Sequence, residues 1–130
     1  MIYEFSAGGL VVDSGKVLVI KTKNLKGDEI YTFPKGNIAK EEKPETAALR
    51  EVQEETGYKC EIVKRIDKVE YFYKYQGKLV KKTVYWFLMK PLKKIGEHDE
   101  EVLEVLWKDT NQVESILTYK SDREMVKKNG

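Results

Sequence analysis

The sequence predicts an α+β protein in which a β-sheet lies between two helices, a helix–sheet–helix sandwich. Several short segments rich in β-branched and aromatic residues are separated by turn residues, which is typical of strands. Residues 44–56 have the length and the terminal residues of a helix. A second helical segment is expected near the C-terminus. Because helices and sheets bury their apolar faces against each other, the two helices are expected to cover the sheet.

The first part of the chain is expected to be mostly extended. A strand at residues 2–12 is predicted to be interrupted by the pair Gly8 and Gly9. Turn residues and apolar runs then predict a turn at 13–15, a buried strand at 17–20, a polar loop at 23–29, and an extended segment at 30–33 that leads into 34–36.

Residues 44–56 are the clearest predicted helix. Pro44 suits the first turn, where its missing N–H costs nothing, and Gly57 suits the position just past the last turn. The remaining predicted elements are a strand at 61–75, a hairpin turn at 76–78, strands at 83–89 and 102–107, and helical segments at 111–117 and 122–127.

Composition restricts the class of protein. A chain of 130 residues can bury one core, so a single domain spanning 1–130 is expected. The net charge of +2 argues against a stable nucleic-acid partner. The chain has no apolar run that is long enough to predict a membrane span. A lone cysteine, Cys60, and the lack of a signal segment favour a cytoplasmic location. With one histidine, His98, a zinc site of nitrogen and sulfur ligands is excluded, so any metal should be a hard cation bound by oxygen.

The predicted helix carries a cluster of carboxylates. Glu51, Glu54 and Glu55 fall on one side, since positions i, i+3 and i+4 are neighbours on a helix surface. Taken alone, such a cluster is more often a solvated acidic face than a site. Three converging carboxylates nevertheless repel one another, and a divalent ion with oxygen ligands would remove that repulsion.

The surrounding spacing is specific. Gly36 is followed, after five residues, by Glu42, and after seven more by Arg50-Glu51-Val52, then by Glu54-Glu55 and Gly57. This pattern, covering residues 36–58, resembles the Nudix box, although Tyr58 stands where an aliphatic residue usually closes it. Further segments resemble the diadenosine tetraphosphate (dinucleoside polyphosphate) hydrolase branch of the Nudix hydrolases: 6–9, 33–36, 82–86 and the stretch ending at Trp107.

The resemblance implies a Nudix-type sandwich with a mixed sheet and a site for Mg²⁺, with Mn²⁺ as the alternative. Glu51, Glu54 and Glu55 would be metal ligands, and the Gly36 carbonyl would complete the site. Metal ions promote hydrolysis of a P–O–P bond by neutralising phosphate oxygens and acidifying a bound water.

Residues around the metal would have supporting roles by the same resemblance. Arg50 would orient a glutamate through a charge-assisted hydrogen bond, and Glu42 would be a supporting carboxylate. Glu101 is the candidate for a further ligand or general base, with Asp99 and Glu100 as neighbouring alternatives. The alternative interpretation of Glu101 is that it belongs to a solvated acidic loop.

The expected substrate is a small nucleotide. Lys35, Lys81 and Lys82 could bind phosphates as point charges, although most lysines of such a chain are merely solvated. By resemblance, Trp86 and Tyr119 would clasp the purine, and a further tyrosine would come from the row Tyr71, Tyr73 and Tyr75, with Tyr73 chosen. Aromatic residues in strands more often pack across the sheet.

The leading hypothesis is Mg²⁺-dependent asymmetric hydrolysis of diadenosine tetraphosphate to ATP and AMP. Alternatives are a nucleoside triphosphate or ADP-ribose pyrophosphohydrolase and removal of pyrophosphate from an RNA 5′ end. The chain lacks the downstream proline associated with the ADP-ribose branch, and its near-neutral charge disfavours RNA. A non-catalytic nucleotide-binding module is the alternative from another class, because fold does not guarantee activity.

Overall fold

The computed structural model describes residues 1–130. Its elements, in chain order, are β1 (Ile2–Asp13), β2 (Lys16–Lys23), β3 (Glu29–Thr32), β4 (Lys35–Asn37), α1 (Pro44–Thr56), β5 (Tyr58–Tyr75), β6 (Lys78–Lys94), β7 (Val102–Asp109), a 3₁₀ turn (Val113–Ser115) and α2 (Lys120–Asn129). Neither helix combines the length and the apolar character that crossing a bilayer requires.

The strands form one mixed sheet. Its order is β3-β2-β1-β6-β5, with β4 also paired to β1 and β7 to β2. The β1–β6 pair is parallel, with Ile2 opposite Val80 at one end and Val11 opposite Met89 at the other. All other pairings are antiparallel. The mixed sheet predicted for the fold is therefore confirmed.

The core lies on both faces of this sheet, because successive side chains of a strand point to opposite sides. On β6, Trp86 joins the cluster that contains Met125 and Val126 of α2. The next residue, Phe87, joins the cluster that contains Ala48 and Val52 of α1. One helix thus covers each face, and the predicted helix–sheet–helix sandwich is confirmed.

The predicted interruption at Gly8 and Gly9 is wrong, since β1 continues through both residues. The glycines are there because neighbouring groups leave no room for a side chain. A Cβ at Gly8 would lie 2.7 Å from the Trp86 ring, and one at Gly9 would lie 2.9 Å from the Val52 side chain. Both distances are shorter than carbon atoms tolerate. Here glycine permits close packing and does not break the strand.

The predicted helix at 111–117 is only a single 3₁₀ turn, Val113–Ser115. Both ends of the segment are tied to the sheet, because the Thr110 N–H donates to the Gly15 carbonyl and the Thr118 N–H donates to the Tyr31 carbonyl. The span between these anchors is too short for a regular helix of several turns. The predicted C-terminal helix at 122–127 is confirmed and is longer, Lys120–Asn129.

Candidate active site

Helix α1 has the bounds that its sequence predicts. Pro44 lies at its beginning, and Gly57 ends it in the left-handed conformation with φ of 81°. Ala47, Ala48 and Val52 are fully buried against the sheet. Burial of this face fixes the rotation of the helix, so its charged residues project toward β4 and the loop before β7.

Arg50 connects the acidic side chains of this region. Its guanidinium donates two hydrogen bonds of 2.8 Å to the Glu42 carboxylate. It also donates to Glu51 at 2.8 Å and to Glu54 at 3.2 Å, while a bond of 3.1 Å reaches the backbone carbonyl of Asn37. The hydrogen bonds from Arg50 lower the pKa of Glu42 to about 2, and those from Glu42 raise the pKa of Arg50 above its usual range. The arrangement agrees with the positioning roles expected for Arg50 and Glu42.

Glu51 lies against Gly36 on β4. A Cβ at position 36 would overlap the Glu51 carboxylate, so only glycine allows this approach. Burial raises the pKa of Glu51, although the hydrogen bond and charge of Arg50 oppose that effect. Gly36 and Glu51, which are 15 positions apart in the sequence, therefore touch through backbone and carboxylate.

Glu55 is the most strongly perturbed carboxyl group of the cluster. It accepts a hydrogen bond of 2.9 Å from the backbone N–H of Lys35. Burial is the main cause that raises its pKa to about 8, and the nearby charges of Glu51 and Asp99 act in the same direction. A buried carboxyl group beside other acids is a position where a cation would be stabilised.

These residues line an open cleft of about 850 Å³. Its wall contains six carboxyl groups against two lysine ammonium groups, and these residues are Glu51, Glu54, Glu55, Asp99, Glu100, Glu101, Lys35 and Lys82. All the residues predicted as metal ligands or catalytic groups therefore lie on this cleft, apart from Arg50, which bonds to two of them.

The loop that carries Asp99 and Glu101 is fixed against the helix. The Asp99 N–H donates to the Glu54 carbonyl at 2.9 Å, and the Thr22 hydroxyl donates to the Glu101 carbonyl at 3.0 Å. The Asp99 carboxylate accepts a bond of 3.2 Å from the Glu101 N–H. The Glu101 carboxylate makes no such bond and is free to face the cleft, where Glu100 also lies.

The donor atoms of the cleft fit a hard divalent cation, because Mg²⁺ and Mn²⁺ prefer carboxylate and carbonyl oxygens. In the present side-chain conformations, no three acidic groups converge on one point, since Arg50 holds both Glu51 and Glu54. The Glu54 side chain is 50% exposed. Glu54 can therefore turn toward an ion without disturbing the core.

A second cavity, of about 440 Å³, adjoins the cleft and has aromatic walls. Trp86 and Tyr119, both predicted to contact the base, line it. So does Tyr71, whereas Tyr73 does not: its hydroxyl donates to Glu4, which raises the pKa of Tyr73 to about 12. Within the tyrosine row, the structure thus places Tyr71, rather than the chosen Tyr73, beside the cavity.

The lysines differ in their surroundings. Lys35 lines both the cleft and the aromatic cavity. Lys82 lines the cleft and donates to the Asn37 side chain at 3.2 Å, and burial lowers its pKa. Lys81 instead forms an ion pair of 2.9 Å with Glu70, which leaves Lys35 and Lys82 as the cleft's cations.

Asp122 is a residue of the aromatic cavity that no pattern in the sequence indicates. This residue is 4% exposed, lines the aromatic cavity and accepts a hydrogen bond of 2.6 Å from the Thr32 hydroxyl. The partners are 90 residues apart, so no local pattern could reveal the contact. A single acidic residue in a charged C-terminal helix is ordinarily solvated.

Residues 3–128 match the NUDIX domain family. The MutT4 protein of Mycobacterium tuberculosis is 33% identical over 132 residues, which cover 95% of this chain and 53% of that protein. An ADP-ribose pyrophosphatase of Bacillus subtilis is 36% identical, and the match covers 76% of this chain and 56% of that protein. An RNA pyrophosphohydrolase of Psychromonas ingrahamii is 33% identical, and the match covers 82% of this chain and 56% of that protein. The chain spans about half the length of the curated relatives it matches.

Solved structures share the fold. A MutT NUDIX hydrolase of Burkholderia pseudomallei superposes with a TM-score of 0.79 at 20% identity and covers 100% of both chains. An Ap4A hydrolase of C. elegans superposes with a TM-score of 0.68 at 18% identity and covers 96% of this chain and 93% of that one. Nudix hydrolases generally use divalent metal ions, which agrees with the oxygen donors of the cleft. The match over residues 3–128, the shared fold and the acidic helix facing Gly36 show that the chain belongs to the Nudix family.

Proposed function

We propose that this protein hydrolyses a P–O–P linkage of a nucleotide with the help of a divalent ion, Mg²⁺ or Mn²⁺. The observation that carries the proposal is the position of Lys35 in the walls of both cavities. A nucleotide whose base enters the aromatic cavity would have its phosphates beside Lys35 and the carboxylate cleft. Apolar pockets with a few polar groups are typical of such ligand sites.

The charge of the cleft explains why a cation is needed. Six carboxyl groups and two lysines would repel a polyphosphate at short range. Glu51, Glu54 and Glu55 are the proposed ligands of this cation. The Gly36 carbonyl is proposed to complete the site. When bound, the ion neutralises phosphate oxygens and acidifies a coordinated water.

The chain's own residues would have distinct parts in this reaction. Arg50 positions Glu51 and Glu54 through hydrogen bonds that a single lysine ammonium could not all replace. Lys35 and Lys82 contact phosphate oxygens as point charges. Glu101 is the proposed proton acceptor for the attacking water, because its carboxylate is not held by the loop that positions it. General bases act only from within hydrogen-bond reach of the proton.

The proposal also specifies which P–O–P linkage the protein prefers to cleave. The sequence resemblance favours asymmetric cleavage of a dinucleoside polyphosphate, with diadenosine tetraphosphate giving ATP and AMP. Two alternative substrates follow from the names of the relatives, ADP-ribose and an RNA 5′ end. The cleft is not lined by a row of basic residues. We therefore prefer a small nucleotide over RNA as the substrate.

The test compares Glu54→Gln with Glu45→Gln, an exposed substitution of the same kind in the first turn of the same helix. Both variants and the parent are incubated with Mg²⁺ or Mn²⁺ and diadenosine tetraphosphate, ADP-ribose, nucleoside triphosphates or a 5′-triphosphate RNA, in ¹⁸O-labelled water. Turnover of a nucleotide by the parent and by Glu45→Gln is expected, with a loss of more than about 100-fold in Glu54→Gln, because outer-shell partners alone contribute about 10–100-fold.

The products distinguish the outcomes. The phosphate that carries ¹⁸O identifies the phosphorus attacked, and hence the linkage. Nucleotide binding without turnover of any substrate would support a non-catalytic module instead. Full activity of Glu54→Gln would show that the proposed metal ligands are wrong.

A further inference from the structure

Strand β5 forms one border of the sheet, and no strand pairs with its outer edge. Between Lys59 and Asp67 its pairing with β6 shifts register three times, and such bulges hinder the addition of a further strand. From Asp67 to Tyr75 the pairing is regular. This part of β5, called the edge segment, also contains no proline. The edge segment therefore lacks two of the features by which exposed strands avoid pairing with another chain.

The edge segment exposes aromatic side chains on both faces of the sheet. Tyr71, Phe72 and Tyr75 are 42, 57 and 51% exposed, and Phe72 points to the opposite face from the two tyrosines. At about 200 Å² for a whole aromatic side chain, they present roughly 300 Å² of apolar surface. A strand laid along the edge would cover both faces at once, whereas a flat protein surface would cover only one.

The hairpin turn determines which backbone groups of the edge segment face outward. Gln76 and Gly77 form a two-residue turn with positive φ at both positions, and Tyr75 lies opposite Lys78. The two residues that flank such a turn are hydrogen-bonded to each other. Because inward and outward directions alternate along a strand, the odd-numbered residues of the edge segment face β6 and the even-numbered residues face outward.

A side-chain contact agrees with these directions. The Lys68 N–H donates a hydrogen bond of 2.8 Å to the Asp67 carboxylate, which is the kind of local partner that an outward-facing N–H finds. The remaining outward-facing backbone groups of the edge segment are open to a further strand. They belong to Glu70, Phe72 and Lys74.

The edge segment is complementary to itself. Two antiparallel copies related by a two-fold axis can be centred on Phe72, so that outward-facing residues of one copy meet outward-facing residues of the other. Glu70 of each copy then lies opposite Lys74 of the other, and Tyr71 lies opposite Tyr73. Opposite charges and aromatic residues stabilise antiparallel strands when they lie directly opposite each other.

Other symmetric arrangements are less favourable. Centring on Tyr71 places Lys68 opposite Lys74, and centring on Glu70 or on Lys74 places two identical charges together. Like charges directly opposite each other are destabilising. Centring on Tyr73 forms no ion pair. An axis between two residues would set outward-facing groups opposite inward-facing ones, which prevents hydrogen bonding.

The charged side chains of the edge segment are available for this pairing. Lys74 forms no ion pair within the chain. Glu70 contacts Lys81 at 2.9 Å and Lys68 at 3.4 Å, but a carboxylate has about four acceptor positions and can bind a further ammonium group. The pairing can therefore add two ion pairs and keep those within each copy.

We propose that two copies of this chain associate through β5, antiparallel about Phe72, and that the sheet continues across the dimer. The aromatic surface is small against the roughly 800 Å² per partner of a standard interface. We therefore expect a dimer that dissociates in the micromolar range. This association does not depend on the proposed hydrolysis of a nucleotide.

The first test needs no variant. Sedimentation velocity is measured on the parent from about 1 µM to about 500 µM, a range that brackets micromolar dissociation. The protein is expected to change from monomer to dimer as the concentration rises. A monomer at every concentration would overturn the proposal.

Amide hydrogen exchange locates the interface. In concentrated solution, the N–H groups of Glu70, Phe72 and Lys74 should exchange about tenfold more slowly than in dilute solution. Those of the odd-numbered residues should be unchanged, because they already bond to β6. A dimer that protects none of the three groups uses another surface, such as the exposed Tyr3 and Phe5 of β1, and would overturn the proposal.

Charge reversal tests the register. Lys74→Glu turns both Glu70–Lys74 pairs into like-charge pairs, so the dissociation constant should rise about tenfold or more. Lys59→Glu, an exposed change in the bulged part of the same strand, is the matched control and should keep the parent's constant. Adding Glu70→Lys to Lys74→Glu should bring the constant back toward the parent's value.

Three results of charge reversal would overturn the register. They are an unchanged constant in Lys74→Glu, equal weakening by Lys59→Glu, and a double variant that dimerises as weakly as Lys74→Glu alone. The second result would show that only the net charge of the protein matters.

Discussion

Arg50 is the residue on which the geometry of the acidic helix depends. Its guanidinium contacts Glu42, Glu51 and Glu54 and the Asn37 carbonyl, so one planar group orients three carboxylates and β4. Planar, fixed donors suit this task better than a flexible ammonium. The Glu42 carboxylate accepts two of the bonds and also one from the Ala39 N–H. Glu42, which does not line the cleft, therefore holds the arginine while the guanidinium contacts Glu51 and Glu54 of the cleft wall.

Glu55 makes the stability of the protein depend on pH. Its pKa is about 8 in the folded chain, mainly through burial, and the ordinary value is 4.5. Between these values the folded state binds the proton and the unfolded state does not. The contribution of Glu55 to stability is therefore present at low pH and is lost as pH rises from 4.5 toward 8. The slope is at most about 1.4 kcal/mol per pH unit.

The Glu55→Gln variant should remove this dependence. In chelator, its free energy of unfolding is expected to exceed the parent's increasingly between pH 5 and 8, by about 1 kcal/mol or more at the upper end. Urea denaturation at several pH values measures the difference. Glu45→Gln, an exposed change on the same helix, is the control and should run parallel to the parent. Parallel curves for Glu55→Gln and the parent would contradict the raised pKa.

Single residues differ in how far the sequence reveals them. Glu51, Glu54, Glu55 and Gly36 could be identified because helix periodicity and the box spacing are local signals. Asp122 could not, since its partner Thr32 comes from the other end of the chain. Tyr71 and Tyr73 could not be separated either, because both occupy the same side of a strand with period 2. Their difference arises from Glu4 on β1, which binds Tyr73.

At the scale of elements, the end of α1 and the acidic loop before β7 form one unit. The Gly57 carbonyl accepts hydrogen bonds from the N–H groups of Ile95 and Gly96 at 2.8 and 3.3 Å. The Glu54 carbonyl, one of the helix's last, accepts from the Asp99 N–H. Helix ends leave such carbonyls without intrahelical partners. The same bonds that complete the helix thus bring Asp99 and Glu101 to the cleft.

Gly57→Ala should destabilise this unit by more than the cost of placing alanine at a positive φ. Gly57 has φ of 81°, and a Cβ there would overlap the Gly96 carbonyl oxygen. Gly77→Ala is the matched control, because Gly77 has φ of 78° with nothing within 4 Å of its Cβ position. Gly77→Ala should cost about 1 kcal/mol, and Gly57→Ala about 1–3 kcal/mol more.

Urea denaturation of both variants measures the difference in unfolding free energy. Gly57→Ala should also weaken Mn²⁺ binding, because displacement of Gly96 moves the loop that carries Asp99 and Glu101. Equal destabilisation by the two substitutions would mean that the loop yields freely and that its contact with Gly57 is unimportant.

Elements were predictable where their signals are local. The bounds of α1 follow from Pro44 and Gly57, and the hairpin turn at Gln76 and Gly77 has positive φ at both residues, 50° and 78°. The segment around Val113 was not predictable in the same way. Its backbone bonds go to Gly15 and Tyr31, distant parts of the sheet, and these tertiary contacts override its helical pattern.

At the scale of the whole molecule, the sheet order brings distant segments to one edge of the site. Strand β4 pairs with β1, α1 packs on the face of β1 and β6, and β7 pairs with β2. The cleft therefore combines residues 35–37, 51–55 and 99–101. The fold class was predictable from the alternation of segments, but this convergence requires the strand order, which no pattern in the sequence specifies.

This convergence predicts that a divalent ion stabilises the whole fold, because an ion held by several distant segments binds the native chain only. At about 100 times the dissociation constant, Mn²⁺ or Mg²⁺ should add about 2.7 kcal/mol, which raises the melting temperature by roughly 10 °C. Potassium chloride at equal ionic strength controls for screening. Glu124→Gln should retain the shift and Glu51→Gln should lose most of it. A shift of equal size in Glu51→Gln would place the ion elsewhere on the molecule.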